Sequence, residues 1–219
     1  MPVADDLGRR PLPSDLGRLL HDLRGPLNSL TMHAEVLKRT VRDDAAAEDS
    51  LRTVLQQLGR LAEMLPAAFY VASLERGPSA TVDLGAIAAV ARRAAGGTLQ
   101  LAAGTWPKVV GDAGLLTEAL TQLFRNAVEA TAAAGSGRPP EAHAVVGDGA
   151  TRVIVRDWGP GLPTTNANLL IRLLHSTKPG HRGLGLVTVE RIARLHGGSI
   201  TFESPDDGAI ATLTLPEAK

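Results

Sequence analysis

Two groups of residues in this chain have the types and spacing for chemistry. The first is His21-Asp22-Leu23-Arg24-Gly25-Pro26-Leu27, which sets a histidine beside a carboxylate on a predicted helix. A neutral imidazole keeps a lone pair on one ring nitrogen and can attack phosphorus. Asp22 can accept a proton from the other nitrogen, fixing the tautomer and stabilising the developing imidazolium. Pro26 removes a backbone N–H that would bond the carbonyl of Asp22, so a bend is expected one turn after His21. Taken alone, the pair reads as ordinary helix surface.

The second group comprises four later segments. Asn126 lies on a predicted helix with Glu129 on the same face, and its amide oxygen suits a Mg²⁺ that keeps most of its waters and bridges phosphates. Asp157-Trp158-Gly159-Pro160-Gly161 follows the strand-like run Val153-Ile154-Val155. A carboxylate at a strand end can accept from an exocyclic amine such as that of adenine, and Gly159 and Gly161 let a ligand come close. In Ser176-Thr177-Lys178, the lysine can reach a terminal phosphate from a glycine-flanked loop. Gly183-Leu184-Gly185-Leu186 precedes a helix, whose first N–H groups form an anion site. Singly these read as a surface Asn, a turn, a solvated lysine and helix punctuation. Together, in this order, they describe a site for Mg-ATP, and with His21 they point to phosphoryl transfer from ATP to the histidine. His33, His143, His175, His181 and His196 show no metal-ligand spacing and receive no role.

These residues need elements to hold them. Leu16, Leu19, Leu20, Leu23, Leu27, Leu30, Leu37 and Val41 recur at helical spacing, and so do Leu51, Val54, Leu55, Leu58, Leu61 and Leu65. With a turn at Asp43-Asp44 they make an antiparallel hairpin over residues 14–76. Such a hairpin cannot bury its apolar stripes alone, so a homodimer forming a four-helix bundle is expected. Residues 1–13 form a short N-terminal segment, and Arg76-Gly77-Pro78-Ser79 opens a linker set at residues 77–82. Residues 83–219 then mix helices with strands. Leu84 to Ala95, Leu115 to Thr131 and Leu184 to Leu195 read as helices. Hairpins are expected around Gly147-Asp148-Gly149 and Asp206-Asp207-Gly208. No regular βαβ repeat appears, so the fold class is α+β, with this part an α/β sandwich.

Bulk properties narrow the choices. A length of 219 residues allows one or two domains, and 44% hydrophobic with 21% charged residues argues against disorder. Zero net charge argues against a nucleic-acid binder relying on bulk positive charge, and the lack of cysteine excludes disulfides and thiolate metal sites. No apolar run reaches bilayer length and no signal-peptide pattern opens the chain, so a cytoplasmic location is expected, with any sensing part elsewhere.

These motifs resemble the catalytic core of sensor histidine kinases over nearly the whole chain. His-Asp-Leu-Arg-Gly-Pro-Leu is similar to that family's H box, which implies that His21 is the phospho-acceptor. Leu123 to Ala130 resembles the N box, implying Asn126 as the Mg²⁺ ligand, and Asp157-x-Gly159-x-Gly161 resembles the first glycine box, implying Asp157 on the adenine amine. Thr177 and Lys178, with Gly183 and Gly185, resemble the ATP lid and second glycine box, spelled as in the nitrogen-regulation-like subgroup. The resemblance implies the ATP-binding domain shared with gyrase, Hsp90 and MutL proteins (the GHKL or Bergerat type). It also implies a response-regulator receiver domain as phosphoryl acceptor.

Three departures from that pattern matter. Gly25 stands where Asn or Thr usually positions water for dephosphorylating a partner. Gln122 replaces a second Asn, and Ile171 and Leu174 replace lid phenylalanines. The departures at Gln122 and in the lid favour an alternative, a non-catalytic phosphotransfer module with a vestigial ATP-binding domain. The intact Asn126, Asp157, Gly159, Gly161, Lys178, Gly183 and Gly185 oppose it. A serine kinase of the anti-sigma type, built on the same nucleotide fold, would not need the hairpin.

Overall fold

Leucine spacing at the N-terminal end produces two long helices, α1 (Ser14–Thr40) and α2 (Ala45–Ser73), packed against each other. The computed structural model describes residues 14–40, 45–104, 106–162, 164, 170 and 185–217, so the Asp43-Asp44 turn lies outside the described residues. In α1, Leu20, Leu27 and Ala34 recur every seven residues and are buried. Leu30, Met32, Val36 and Leu37 are all more than half exposed, as no second surface covers them. Pro26 lies inside α1, which continues past it to Thr40, and Pro66 lies inside α2. The chain divides into two compact units, one ending at Leu74 and the other beginning at Glu75.

The second unit runs β1 (Ala80–Asp83), α3 (Leu84–Ala95), β2 (Gln100–Leu101), β3 (Lys108–Gly111), α4 (Ala113–Ala133), β4 (Glu141–Gly147) and β5 (Ala150–Asp157). It continues with α5 (Gly185–Leu195), β6 (Ser199–Glu203) and β7 (Ala209–Pro216). Strands β1 and β3 pair antiparallel. The others form a five-stranded sheet in the order β2-β4-β5-β7-β6, with only the β2–β4 pair parallel. Asp148 and Gly149 both take positive φ in the β4–β5 turn, which matches the twist of a two-residue hairpin. Alternate residues of β5, Thr151, Val153 and Val155, are buried while their neighbours are partly open, so one face of the sheet is covered. The helices cover it: α4 packs on β5, α5 on β6, and α3 and α5 flank α4. This is the expected α/β sandwich. Leu116, Leu120, Leu123, Phe124 and Ala127 form the buried face of α4, and each large side chain there contributes about 1.5–3 kcal/mol.

Two strands escape sequence reading: β1, which takes in part of the expected linker, and the two-residue β2. The segment before β1 is also tied down. The Gly77 N–H donates to Asp112 Oδ2 (3.0 Å), and the Arg76 guanidinium donates to the Leu195 carbonyl (3.3 Å). Asp112 caps α4 by accepting from the Leu115 N–H (3.1 Å). Its own N–H donates to His196 Nε2 (3.0 Å), whose Nδ1 lies 2.8 Å from the Ile192 carbonyl. Nε2 is thus the acceptor and Nδ1 carries the proton, so His196, given no role from sequence, is a neutral structural histidine.

Burial lowers the His196 pKa below the ordinary 6.5; the Ile192 hydrogen bond raises it, nearby Arg76 lowers it, and Asp112 raises it. The unfolded chain therefore takes up this proton first as pH falls. The stability this neutral histidine contributes is complete above pH 6.5 and is lost as pH drops through that value toward the folded-state pKa. A His196→Leu chain should be about 1–3 kcal/mol less stable at pH 7.5, because the buried Asp112 N–H loses its acceptor. It should also lose less stability than the wild type on going down to about pH 5.5. Unfolding in denaturant at the two pH values measures both effects, and equal pH slopes in the two proteins would rule out His196 as the titrating group.

Candidate functional site

Asn126 is half-buried on α4, one turn after Gln122. Gly185, the first residue of α5, sits against both. A Cβ built on it would lie 3.2 Å from Gln122 Oε1 and 3.7 Å from Asn126 Nδ2. The first N–H groups of α5, which a helix leaves without partners of its own, thus meet two amide side chains, an arrangement that favours phosphate. Among the described residues no three His, Cys, Asp or Glu side chains cluster to hold a metal. A Mg²⁺ here would take one or two amide oxygens from α4 and the rest of its shell from phosphates and water, which suits that ion.

One turn further along, about 6 Å up the axis, α4 meets the loop after β5. Gly159 packs on it so closely that an added Cβ would lie 2.8 Å from Ala130 Cβ and 3.1 Å from its carbonyl carbon. The Trp158 N–H donates to Thr131 Oγ1 (3.1 Å). Asp157 closes β5, and its Oδ1 accepts from the N–H groups of Gly159 (2.9 Å) and Ala209 (3.2 Å). Those bonds orient the carboxylate at the strand end, where a base amine can reach it. Gly161 has φ +80°, and a side chain there would meet Ser204 Oγ at 2.8 Å.

The structure therefore brings Asn126 and Gly185 together at one end of a single face of α4, and Asp157 with Gly159 at the other. Thr177, Lys178 and Gly183 lie outside the described residues. In the first unit, His21 is exposed on α1 beside buried Leu20, and nothing lies within 4 Å of a Cβ built on Gly25. The side chain of Asp22 lies outside the described residues. A cavity of about 960 Å³ lies on the other side of α4, lined by Arg92, Gln100 and Val128, and reaches the supports of Trp158 at Thr131, Arg138 and Pro139. Val128 points away from Asn126 around α4, toward α3. Sequence reading passed over Thr131 and the groups around Trp158, for no local signal joins residues so far apart in the chain.

Residues 111–219 match the family described as the histidine kinase-, DNA gyrase B- and HSP90-like ATPases. The nitrogen regulation protein NtrY of Azorhizobium caulinodans is 28% identical over 90% of this chain and 28% of its own length. The sensor histidine kinase ZraS of Klebsiella oxytoca is also 28% identical, over 90% of this chain and 44% of its own length. This chain thus spans less than half the length of either relative. Among solved structures, full-length ShkA in complex with AMPPNP is 24% identical with a TM-score of 0.61, over 95% of this chain and 47% of that one. This last likeness concerns the fold. No helix among the described residues is long and apolar enough to cross a membrane.

Gly159→Ala should weaken binding of an ATP analogue by roughly tenfold or more, since the loop carrying Asp157 must back away from α4. Gly137→Ala, where nothing lies within 4 Å of the new methyl, should leave affinity unchanged. Calorimetric titration of both variants decides the point, and equal affinities would mean that the Gly159 contact does not set the site.

Proposed function

We propose that this chain, whose residues 111–219 belong to the histidine kinase-, DNA gyrase B- and HSP90-like ATPase family, is the core of an ATP-dependent protein-histidine kinase in a two-component system. One observation carries the nucleotide half of this reading: a single face of α4 presents Gln122 and Asn126 to the N-terminus of α5 and Ala130 to the loop that holds Asp157. Asp157 accepts from the adenine amine, the start of α5 faces the phosphates, and Asn126 supplies an amide oxygen to Mg²⁺. Thr177, Lys178 and Gly183 are assigned to closing over the phosphates. Bound Mg²⁺ neutralises charge on the phosphates, while the protein positions the reacting groups.

The nucleophile is His21. Its lone pair forms the N–P bond to the γ-phosphorus as the bond to the ADP oxygen breaks, and Asp22 accepts the proton from the other ring nitrogen. The phosphoryl group then moves to an aspartate of a response-regulator receiver domain, as the N–P bond breaks and a carboxylate–phosphorus bond forms. Two copies pair through their hairpins into a four-helix bundle, covering the open residues Leu30, Val36 and Leu37. A cytoplasmic site of action completes the reading, with the sensing part on a separate protein or on a part of the protein outside these residues.

Wild type and His21→Ala incubated with Mg-ATP labelled on the γ-phosphate test the chemistry. Label lost in acid and kept in base should appear on the wild type alone. Folded wild type without label would sink autonomous kinase activity. Label arriving instead from a phosphorylated receiver domain would leave His21 as a shuttle beside a vestigial ATP-binding domain. Sedimentation equilibrium should give twice the chain mass for the wild type and the monomer mass for Val36→Glu, whereas a monomeric wild type would refute the bundle.

A further inference from the structure

We propose that Trp158 is a positioning residue for the nucleotide site, holding the loop that aims the Asp157 carboxylate. This inference rests on the nucleotide reading above and deepens it. Trp158 directly follows Asp157, and four separate anchors converge on it. Its backbone N–H donates to Thr131 Oγ1 (3.1 Å), on the buried side of α4 near its C-terminal end. Its indole Nε1–H donates to the Pro139 carbonyl (2.8 Å), in the loop between α4 and β4. The guanidinium carbons of Arg138 and Arg156 lie over its ring, 3.4 Å and 4.3 Å from the centroid.

Two cations over one ring repel each other unless a shared anion lies between them. Asp207 is that anion. It pairs with Arg138 at 3.6 Å and also pairs with Arg156. Arg156 Nε is buried with no hydrogen-bond partner, so the Asp207 pair and the ring orient this guanidinium. Asp207 in turn belongs to the β6–β7 turn, whose Gly208 leaves so little room that a Cβ there would lie 2.0 Å from the Asp157 carbonyl oxygen. The next N–H, of Ala209, donates to Asp157 Oδ1 (3.2 Å).

The adenine-binding carboxylate is therefore bracketed. Arg156 precedes it, Trp158 follows it, and the turn carrying Asp207 presses on it from the next strand. The Trp158 ring joins all three to the loop that carries Arg138 and Pro139. Adenine presents an amine to this carboxylate, whereas guanine presents a carbonyl at the same ring position. A carboxylate held in one orientation separates the two bases, and one free to turn separates them less.

The test uses the full chain, the non-hydrolysable analogue AMPPNP with Mg²⁺, and steady-state autophosphorylation. Trp158→Leu should weaken AMPPNP binding about tenfold and raise the KM for ATP to match, with kcat within about twofold, and should narrow the preference for ATP over GTP. Trp158→Phe, which keeps a ring for the guanidiniums but loses the Pro139 bond, should restore part of the affinity. Arg138→Met, a change at an exposed side chain, avoids any folding failure and should weaken binding about threefold. In a Trp106→Phe background Trp158 is the only tryptophan, so AMPPNP should shift its fluorescence and Arg138→Met should reduce that shift. Folded Trp158→Leu and Arg138→Met chains that bind AMPPNP like the wild type, with base preference intact, would overturn this inference alone. A wild type that binds no nucleotide would overturn the reading beneath it as well.

Discussion

The nucleotide end of this chain depends on how closely α4 approaches its neighbours. One helix face is committed to the core through Leu116, Leu120, Leu123 and Phe124. The helix axis is therefore fixed, and the half-buried row flanking that face becomes a ruler. Residues one turn apart on it address different chemistry: Gln122 and Asn126 meet the start of α5, and Ala130 meets the loop after β5. Neither approach tolerates a larger residue without movement. An interior packed as densely as an organic crystal transmits such a displacement rather than absorbing it, so burial of one face of α4 sets the geometry of the row beside it.

The two units solve opposite problems. In the α1–α2 unit the apolar residues exceed what one pair of helices can cover, leaving Leu30, Met32, Val36, Leu37, Val54 and Leu61 open. The proposed pairing of two hairpins answers this excess by supplying further apolar surface. Among the described residues of the second unit the open apolar ones are few, and polar groups take over as fasteners. Asp112 and His196 join the start of α4 to the end of α5 and hold the segment at Gly77 as well. That knot has little spare tolerance, because a protonated His196 could no longer accept from the Asp112 N–H.

Much of this architecture was legible from residue order. Long helices announce themselves by period, so α1, α2 and α4 appear in the leucine spacing. The β4–β5 and β6–β7 hairpins appear because Asp-Gly turns punctuate alternating strands. Strands β1 and β2 did not appear, being four and two residues long, and β1 shows no alternation of burial. The linker assignment at residues 77–82 ran into β1 for the same reason. His196 was passed over because its partner Asp112 lies 84 residues away and no local pattern connects them. Asn126, Asp157, Gly159 and Gly185 were legible as types in order. What sequence could not supply was their common dependence on α4, which is a matter of distance and not of spelling.

The glycines show why some positions can be read and others cannot. Where two elements nearly touch, as Gly159 does with Ala130 or Gly198 with the Thr214 carbonyl, an added Cβ would collide, so the residue type is dictated by its surroundings. Such positions carry information, and a motif built from them survives as a pattern. At Gly25 and Gly59, on the helices of the first unit, nothing stands within 4 Å of an added Cβ. Packing does not ask for glycine there, and helix propensity argues against it by about 1 kcal/mol relative to alanine. Gly25, four residues after His21, is therefore not fixed as glycine by packing. The nucleotide half is spelled by contacts within the chain, whereas packing does not dictate the glycines on the histidine helices.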